Sequence, residues 1–487
     1  MVLPEGVEAG GFDAIVGNPP FLGGQKLTGA CGTAYREYLV RWVANGARGS
    51  ADLLAYFLLV ANRILNSRGQ AGLIGTNTME LGDTGEVGLD QISGNGAPIR
   101  AAVKSADWQT RSVDLEYAVV WSSRGSIAVG IPRLLEGRPV TLISSALDEM
   151  EVDLGQPFPL YANRGISFQG AIVLGMGFTM APVEAQRLIE RDPRNRDVLF
   201  PYINGEDLNS RPDCSGSRWV INFHDWSLDR AERYVDCLDI VRRLVKPERD
   251  RNKRAPRRTY WWRYAERAPG LYRSIEGLSR VLAITQTSRL QLPAFLPTGM
   301  VYAHKLVVFA WDDNPHFALL SSELHRAWVL TRGSTMRTDA VYTPSDVFET
   351  FPLPNMTTEM ATAGEALDAY RNPLMIDRQL GLTALYNQVH NPGVGDGPLA
   401  CLRDIHYEID RAVAESFGWD DIRLNHGFHE TPQGMRFTLP DSARREILKR
   451  LLDVNHKRHA EEVARGLIGG KGRLGRRKTS QMELLKA

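Results

Sequence analysis

The chain has 487 residues, of which 43% are hydrophobic and 24% are charged, and its formal net charge is +1. This length and composition predict a globular protein of about three domains. They exclude a membrane protein, because no apolar run approaches the roughly 20 residues of a spanning helix. The N-terminal MVLPEGVEAGG also lacks the features of a signal peptide, so the expected compartment is the cytoplasm.

A disulfide framework or a zinc site would require cysteines. The chain has four, and they are widely spaced: Cys31, Cys214, Cys237 and Cys401. They show neither a paired spacing nor the accompanying histidine pattern of a zinc site. We therefore expect no disulfide framework and no metal.

The first 150 residues predict part of a parallel sheet. A short buried strand, FDAIVG, begins at Phe12 and is followed by a turn-rich segment, NPPFLGG. Asp52 then caps an apolar-periodic helix that ends at 68–69, and the apolar strand AGLIGTN follows directly. Such a strand, helix and strand form one unit of a parallel α/β sheet. Two more strands, VDLEYAVVWSS and SIAVGIPRLL, are expected to close the sheet as an antiparallel hairpin.

Beyond residue 150 the pattern changes twice. Residues 151–356 carry short strands such as RWVINF, HKLVVFAW and HFALL among Gly, Pro and aromatic residues, which predicts a mixed α/β domain. Residues 357–468 show helical periodicity, clearest in MATAGEALDAYRN, LACLRDIHYEIDRAVAESFGW and SARREILKRLLDVNHKRHAEEVARG. Residues 469–487 are expected to form a flexible basic tail. The predicted domains are thus 1–150, 151–356 and 357–468, followed by this tail.

The tetrapeptide Asn18-Pro19-Pro20-Phe21 carries the chemistry that we expect. Methyl transfer to the exocyclic amine of adenine needs two acceptors for the amine hydrogens and an aromatic surface for a base turned out of the duplex. Asn18 offers its amide oxygen, Pro19 its main-chain carbonyl and Phe21 its ring, while the two prolines hold the turn rigid. The alternative is a rigid loop without a function, since short motifs also match by chance. The strand before the motif and the helix and strand after it favour the catalytic interpretation.

FDAIVGNPPFLGGQ, with ADLLAYFLLVANRIL and GLIGTN downstream, resembles motifs IV to VI of the gamma-type N6-adenine DNA methyltransferases. The longer arrangement is similar to single-chain type IIG and IIL restriction-modification enzymes and to the large methylases of phage-defence systems. Its recognition-like part includes GISFQGAIVLGMGF, PYINGEDLN, RWVINF, YWWRYAERAPGLYRSI, LLSSELHRAWV and VYTPSDVFETFPLP. The resemblance implies the C-terminal half of a Rossmann-like methyltransferase sheet, a target-recognition domain over 151–356, and S-adenosylmethionine as the methyl donor. It covers the final third of the chain only weakly.

The donor-binding part of such an enzyme is not found before the motif. In that family S-adenosylmethionine lies on a Gly-rich loop after the first strand, upstream of the Asn-Pro-Pro-Phe segment. Fewer than 20 residues precede Asn18, so we expect an upstream segment or a separate chain to supply the donor site, which Asn18 would line. A circular permutation that uses Gly175 and Gly177 is the weaker alternative, because these glycines lie in the recognition-like part and are expected to ease a tight bend.

Positive charge is concentrated in two segments, 242–273 and 444–478. The run KPERDRNKRAPRRTYWWRYAER places cations beside large aromatic residues, a composition typical of contact with a DNA backbone, although a solvated charged helix is the alternative. The side chains expected to contact phosphates are Arg249, Arg251, Lys253, Arg254, Arg257 and Arg258. Trp261 and Trp262 are expected to pack in the core instead. Weaker candidates for reading base edges are Arg289, His304, Lys305 and Arg337.

Three functions are compatible with these patterns. The first is a site-specific methyltransferase that modifies adenine N6 in double-stranded DNA after base flipping, and that is incomplete without its donor-binding segment. The second is a noncatalytic DNA-specificity module or remnant of a restriction-modification enzyme. The third is a methyltransferase for a glutamine amide in a protein, which also uses Asn-Pro-Pro before an aromatic residue. The long recognition-like region disfavours this third function.

Overall fold

A computed structural model describes residues 10–47, 49–94, 97–108, 116–125, 127, 131–150, 156–336, 339–431 and 433–468 of the chain. Contacts divide the chain into two compact units, Met1–Gln156 and Pro157–Ile468, which we call the N-terminal unit and the C-terminal unit. The predicted tail 469–487 and the candidate Arg337 lie outside the described residues.

The N-terminal unit is built on one mixed sheet. Its strands are β1 Phe12–Gly17, β2 Leu65–Thr76, β3 Ile99–Asp107, β4 Glu116–Ser123, β5 Arg133–Leu135 and β6 Arg138–Val140, and β7 Leu142–Ile143 and β8 Glu149–Met150 form a separate pair. The six-stranded sheet has the order β1-β2-β4-β3-β5-β6. β1 and β2 are parallel, β4 runs antiparallel between β2 and β3, and β5 and β6 form a hairpin beside β3.

Five helices accompany this sheet among the described residues. They are α1 Gly24–Cys31, α2 Thr33–Tyr38, α3 Leu53–Ile64, α4 Gly82–Val87 and α5 Leu89–Gly94, with a π-helical turn at Leu39–Val43. As predicted, α3 is capped by Asp52, whose side chain accepts the Leu54 N–H at 3.0 Å. It ends earlier than predicted because Leu65 is already extended and pairs with Phe12 of β1.

The core of the N-terminal unit lies between α3 and one face of the sheet. Leu54 and Leu58 of α3 belong to one buried cluster with Leu73 of β2, Ala102 of β3 and Val120 of β4. Burial of each large aliphatic side chain stabilises the fold by about 1.5–3 kcal/mol. This packing holds the ends of β1 and β2 in place for the site described below.

Two predictions for this sheet are wrong. The strand FDAIVG is not buried: among the described residues β1 is an edge strand that pairs only with β2, and Val16 is 88% exposed. The closing hairpin also differs, because β4 pairs with β2 and with β3, a strand that was not predicted. The pairing of β3 with β4 contains two register shifts, so β3 lacks the alternation that reveals a strand in a sequence. Of the predicted strand 126–135, β5 covers Arg133–Leu135, while 126 and 128–130 lie outside the described residues.

The C-terminal unit contains short strands in several small sheets. They are β9 Ser167–Gln169, β10 Thr179–Met180, β11 Leu199–Ile203, β12 Arg218–Ile221, β13 Arg280–Thr285, β14 Thr287–Ser288, β15 Ala294–Pro297, β16 Val301–Tyr302, β17 Leu306–Phe309, β18 Ser334–Met336, β19 Asp339–Val341, β20 Gly427–Thr431 and β21 Gly434–Thr438. The sheet orders are β10-β12-β11-β16, β15-β13-β17-β9 and β14-β19-β18, and β20-β21 is a hairpin. The predicted strands RWVINF and HKLVVFAW are confirmed by β12 and β17.

Helices surround and extend these sheets. They are α6 Pro182–Arg191, α7 Gly205–Ser210, α8 Leu228–Ala231, α9 Val235–Leu244, α10 Lys246–Asp250, α11 Ala255–Thr259, α12 Pro269–Ser274, α13 Asn314–Ser321, α14 Glu323–Arg332, α15 Thr358–Arg378, α16 Leu382–Val389, α17 Gly397–Ser416 and α18 Asp441–Ala464. The three clearest helical segments of the sequence are confirmed by α15, α17 and α18. The description of this part of the chain as mixed α/β is therefore correct at the level of fold class.

The predicted strand HFALL is wrong, because these residues belong to α13. Asp313 caps this helix by accepting the His316 N–H at 3.0 Å, and Pro315 occupies its first turn. These two helix-start signals outweigh a short apolar run, which is ambiguous between a strand and a buried helix.

Asn455 joins α18 to two distant segments of the C-terminal unit. Its side chain is fully buried. Its Nδ2 donates to the carbonyl oxygens of Phe158 at 2.8 Å and Thr350 at 2.7 Å, and its Oδ1 accepts the Phe158 N–H at 2.8 Å. Because a buried polar group without a partner is costly, all three bonds are needed together.

We therefore expect Asn455→Ala to lower the free energy of unfolding by about 2–4 kcal/mol, since three buried backbone groups lose their partner. Urea unfolding of the purified chain measures this loss. Asp453→Ala, at an exposed position of the same helix, is the control and should change stability by less than about 0.5 kcal/mol. Equal stability of the two variants would contradict the role given to Asn455.

Candidate functional site

The turn at residues 18–21 follows the last residue of β1, Gly17. Because β1 and β2 run in parallel, this turn lies at the carboxyl ends of the strands, on the same side of the sheet as the end of β2 at Thr76. The side chains of Asn18 and Phe21 are exposed, whereas Pro19 is buried. The turn is thus anchored by one proline and presents its polar and aromatic side chains to solvent.

Backbone contacts tie this turn to the start of α3. The Leu22 N–H donates to the Pro20 carbonyl oxygen at 2.9 Å, and the Leu22 carbonyl oxygen accepts the Leu53 N–H at 3.0 Å. Gly24 is packed against the chain before α3: a Cβ at this position would lie 2.0 Å from the Ser50 carbonyl oxygen. Only glycine permits this approach, so the chain that leaves the turn has a defined path.

The acceptors of the turn are free of partners in the part of the chain that the structure describes. Neither the side-chain amide of Asn18 nor the backbone carbonyl oxygen of Pro19 takes part in a hydrogen bond there. The ring of Phe21 is 37% exposed. Two unpaired carbonyl oxygens and an accessible aromatic ring, all within four consecutive residues, suit a planar group that carries an amine.

Glu80, which the sequence reasoning missed, lies in the turn that follows β2 at this same sheet edge. Its Oε2 is buried and has no hydrogen-bond partner among the described residues. Burial raises the pKa of the Glu80 carboxyl to about 7, and the nearby Lys104 ammonium opposes this rise. Lys104 itself donates to Asp148 Oδ1 at 2.8 Å. The signal in the sequence was an acidic residue soon after an apolar strand, in GLIGTNTME.

The basic run after α9 forms two short helices, α10 and α11, and the residues around them. Of the predicted phosphate contacts, Arg257 is half-buried and the exposed ones are Arg251, Lys253, Arg254 and Arg258. Arg258 donates to the Asn252 carbonyl oxygen at 2.6 Å. The exposed cations can therefore meet a polyanion without any change in the fold.

Arg249 has a different position and must be removed from the set of phosphate contacts. It is only 1% exposed. Its guanidinium donates to the carbonyl oxygens of Val173 at 3.0 Å, Leu174 at 2.7 Å and Arg263 at 3.4 Å. Burial lowers the pKa of this guanidinium. Arg249 thus supports the fold, because its donors are directed at the protein backbone.

Trp261 and Trp262 pack in the core as predicted, with 7% and 6% exposure. The indole Nε1 of Trp262 donates to the Trp226 carbonyl oxygen at 3.0 Å. Both tryptophans belong to the apolar cluster of the C-terminal unit, so they hold the basic run against the fold.

His304 and Lys305 lie in the loop between β16 and β17, where both are exposed and line an open cavity. Burial and the Lys305 ammonium lower the pKa of the His304 ring. Arg289 lies 3.8 Å from Asp339 in an ion pair. The structure therefore brings His304 and Lys305 together, and it places Arg289 beside an acidic partner.

Gly175 and Gly177 ease a tight bend, as expected. Gly175 has a φ of 130°, and a Cβ on Gly177 would lie 2.4 Å from the Cβ of Leu244 in α9. A short 3-10 helix, Met176–Phe178, follows Gly175. This segment packs against α9 at Gly177, where no side chain would fit.

The described helices include none that is both long and apolar enough to cross a membrane. Within the described residues no group of three or more His, Cys, Asp or Glu side chains is placed to hold a metal ion. All four cysteines carry free thiols.

Two family models match this chain. Residues 3–92 match the model described as the Eco57I restriction-modification methylase. Residues 165–355 match the model described as the MmeI target recognition domain. The first match includes the 18–21 turn and Glu80, and the second includes the basic run, His304 and Lys305.

Three solved structures align with this chain. The type IIL restriction-modification enzyme MmeI, solved in complex with DNA, aligns over 92% of this chain and 57% of its own chain, with a TM-score of 0.67 and 17% identity. The type IIG restriction endonuclease BpuSI aligns over 84% of this chain and 55% of its own, with a TM-score of 0.28 and 11% identity. The DrdV–DNA complex aligns over 74% of this chain and 44% of its own chain, with a TM-score of 0.36 and 10% identity. No curated protein matches the chain.

The resemblance inferred from the sequence is thereby confirmed: residues 3–92 match a restriction-modification methylase model, and residues 165–355 match a target recognition domain model. The domain is of the MmeI kind, and the fold of MmeI is shared over most of the chain. The chain spans little more than half of the length of MmeI, at 57%.

Glu80 generates a prediction about pH. Its folded pKa of about 7 lies above the ordinary value of 4.5, so the folded state holds this proton more tightly than the unfolded chain does. The free energy of unfolding should therefore fall as pH rises from 4.5 to about 7, by up to about 3 kcal/mol. Thermal unfolding between pH 4.5 and 8 measures this fall, and Glu80→Gln should flatten it. Asp107→Asn, at an exposed position of β3, is the control; an unchanged slope in Glu80→Gln would contradict the assignment.

Proposed function

We propose that this chain is the target-base and DNA-reading part of a site-specific methyltransferase that modifies adenine N6 in double-stranded DNA. The observation that carries the proposal is the turn at 18–21, where two unpaired carbonyl oxygens and an exposed phenyl ring stand at a sheet edge. The match of this segment to a restriction-modification methylase supports it. The finer domain limits, 1–150, 151–356 and 357–468, belong to the same proposal.

In this proposal the turn holds the amine of an adenine that has left the base stack. Asn18 Oδ1 and the Pro19 carbonyl oxygen accept the two amine hydrogens, which draws the nitrogen lone pair out of the ring. Phe21 stacks on the face of the base. S-adenosylmethionine, when bound, would supply the methyl group from its sulfonium and would leave as the neutral thioether, and the proton released from the amine would pass to water. The buried Pro19 keeps the two acceptor oxygens in place. Binding of the base therefore costs little conformational entropy of the turn.

The Gly175–Gly177 segment does not suit S-adenosylmethionine, because Gly177 packs closely against α9. We propose that an upstream segment or a separate chain supplies the donor site. The open edge of β1 supports this, because its outer backbone groups have no strand beside them in the described sheet. Val16, 88% exposed on this strand, is an apolar side chain that a further element would cover.

The C-terminal unit provides the proposed DNA contacts. The match to a target recognition domain and the exposed cations of the basic run support phosphate contact by Arg251, Lys253, Arg254, Arg257 and Arg258. His304 and Lys305 are proposed to face base edges. MmeI was solved in complex with DNA, and we extend that partner to this chain.

A noncatalytic DNA-specificity module is the second candidate. The observation that favours it is the extent of the match to a target recognition domain, residues 165–355, compared with residues 3–92 for the methylase model. Such a module would bind duplex DNA in a salt-dependent way and transfer nothing.

Methyl transfer distinguishes the two candidates. Two proteins are prepared: the chain alone, and the chain joined to the segment encoded immediately upstream of Met1. Each is incubated with duplex DNA and methyl-labelled S-adenosylmethionine. The DNA is then digested and its N6-methyladenine is measured. We expect transfer by the joined protein. Asn18→Ala should lower the rate at least about 100-fold, because an acceptor aimed at the reacting amine is lost. Phe21→Ala should lower it about tenfold, through lost stacking.

Gln25→Ala is the matched control, since Gln25 is an exposed amide close to the turn in α1. It should leave the rate unchanged. Absence of labelled N6-methyladenine from every reaction would refute a donor site in the upstream segment, and duplex binding retained under those conditions would support the specificity module.

A second prediction separates phosphate contact from structural support within the basic run. Arg254→Ala should reduce the slope of log binding constant against log salt by about 1 and leave stability within about 0.5 kcal/mol. Arg249→Ala should do the opposite, with stability lower by about 2–4 kcal/mol and the slope unchanged, because three carbonyl groups lose their donor. Fluorescence anisotropy at several salt concentrations and urea unfolding provide the two measurements. The same response from both variants would show that burial does not separate their roles.

A further inference from the structure

An open cavity of about 560 Å³ is lined by residues of the segment that matches the target recognition domain, together with Thr383 of α16. Its lining includes Glu206 and Asn209 of α7, Thr287 of β14, and His304 and Lys305 of the loop between β16 and β17. The cavity therefore combines an acidic, a basic and several neutral polar side chains.

The fold does not use the charged groups of this cavity. Glu206 and Lys305 make no side-chain hydrogen bond or ion pair with the residues that the structure describes. The neighbouring Asn204 contrasts with them, because its side chain accepts the Asp207 N–H at 2.9 Å and so caps α7. Two exposed, unpaired groups of opposite charge at one opening indicate a ligand that offers both donors and acceptors.

A phosphate does not meet this description, because the carboxylate of Glu206 would repel it. The major-groove edge of a G·C pair does, since guanine presents O6 and N7 as acceptors and cytosine presents its N4 amino group as a donor. Adenine also has an amino group there, but its N7 acceptor lies beside that group and would oppose the second carboxylate oxygen. Cytosine is therefore the base that suits Glu206.

We propose that this cavity reads one C·G pair of the recognised DNA, with Glu206 accepting a hydrogen from cytosine N4 and Lys305 donating to the guanine. This inference rests on the proposed function, because it names one base pair of the sequence that the methyltransferase or specificity module selects. Glu206 is a specificity residue here and takes no part in the transfer of the methyl group.

Selection from a pool of randomised DNA duplexes tests the inference, with the full 487-residue chain as the bait. The unaltered chain should select a site with cytosine at one position. Glu206→Gln should lower the preference for cytosine at that position about tenfold and leave the other positions unchanged. Glu184→Gln, the same chemical change at an exposed position of α6 outside the cavity, should select the original site.

A change in the DNA provides the second measurement. When the selected cytosine is replaced by 2-pyrimidinone, which lacks only the amino group, binding by the unaltered chain should weaken about tenfold, and binding by Glu206→Gln should not. The inference is overturned if Glu206→Gln retains the cytosine preference or if the unaltered chain tolerates the missing amino group; recognition itself then stands. If the unaltered chain selects no site, the proposed sequence recognition fails and the inference fails with it.

Discussion

The parallel pairing of β1 with β2 is the constraint on which the candidate site depends. Its register runs from Ala14 opposite Gln70 to Gly17 opposite Leu73, and it brings the end of β1 to the edge where β2 also ends. The turn that follows contains two prolines, which have no N–H to donate, so the turn cannot be held by a ladder of its own. It is held instead by the sheet before it and by the bond between Leu22 and Leu53 after it.

In the C-terminal unit, buried charged groups connect segment 165–355 to the helices that follow it. Asp410 of α17 accepts the Glu323 N–H at 2.6 Å and lies 2.7 Å from His426 Nε2. Burial raises the pKa of Asp410 to about 6. A buried carboxyl of this kind is strongly destabilising without its partners, which makes these bonds specific for one packing of α14 on α17. Residues beyond the match at 165–355 thus share a core with residues inside it.

Burial also separates side chains of one type into those that support the fold and those that face solvent. Arg249 and Arg254 belong to the same basic run, yet the first is enclosed by backbone carbonyls and the second faces solvent. A net charge of +1 conceals this division, because the total records neither position nor exposure. Two glutamates also differ in exposure: the carboxyl of Glu80 is buried, whereas Glu206 is exposed in an open cavity.

The sequence by itself determined the features that short-range chemistry encodes. The cap of α3 at Asp52, the helices α15, α17 and α18, and the Asn-Pro-Pro-Phe turn all follow from residues only a few positions apart. The family resemblance rests on the same local segments, and the comparisons confirmed it.

Only the tertiary structure decided the edge position of β1, the pairing of β3 with β4, the burial of Arg249 and the environment of Glu80. Each of these depends on groups that are distant along the chain. Arg249, for example, donates to carbonyl groups of residues 173 and 174. Strand pairing and desolvation are set by which segments meet in space, and the periodicity of a single segment carries no record of its partner.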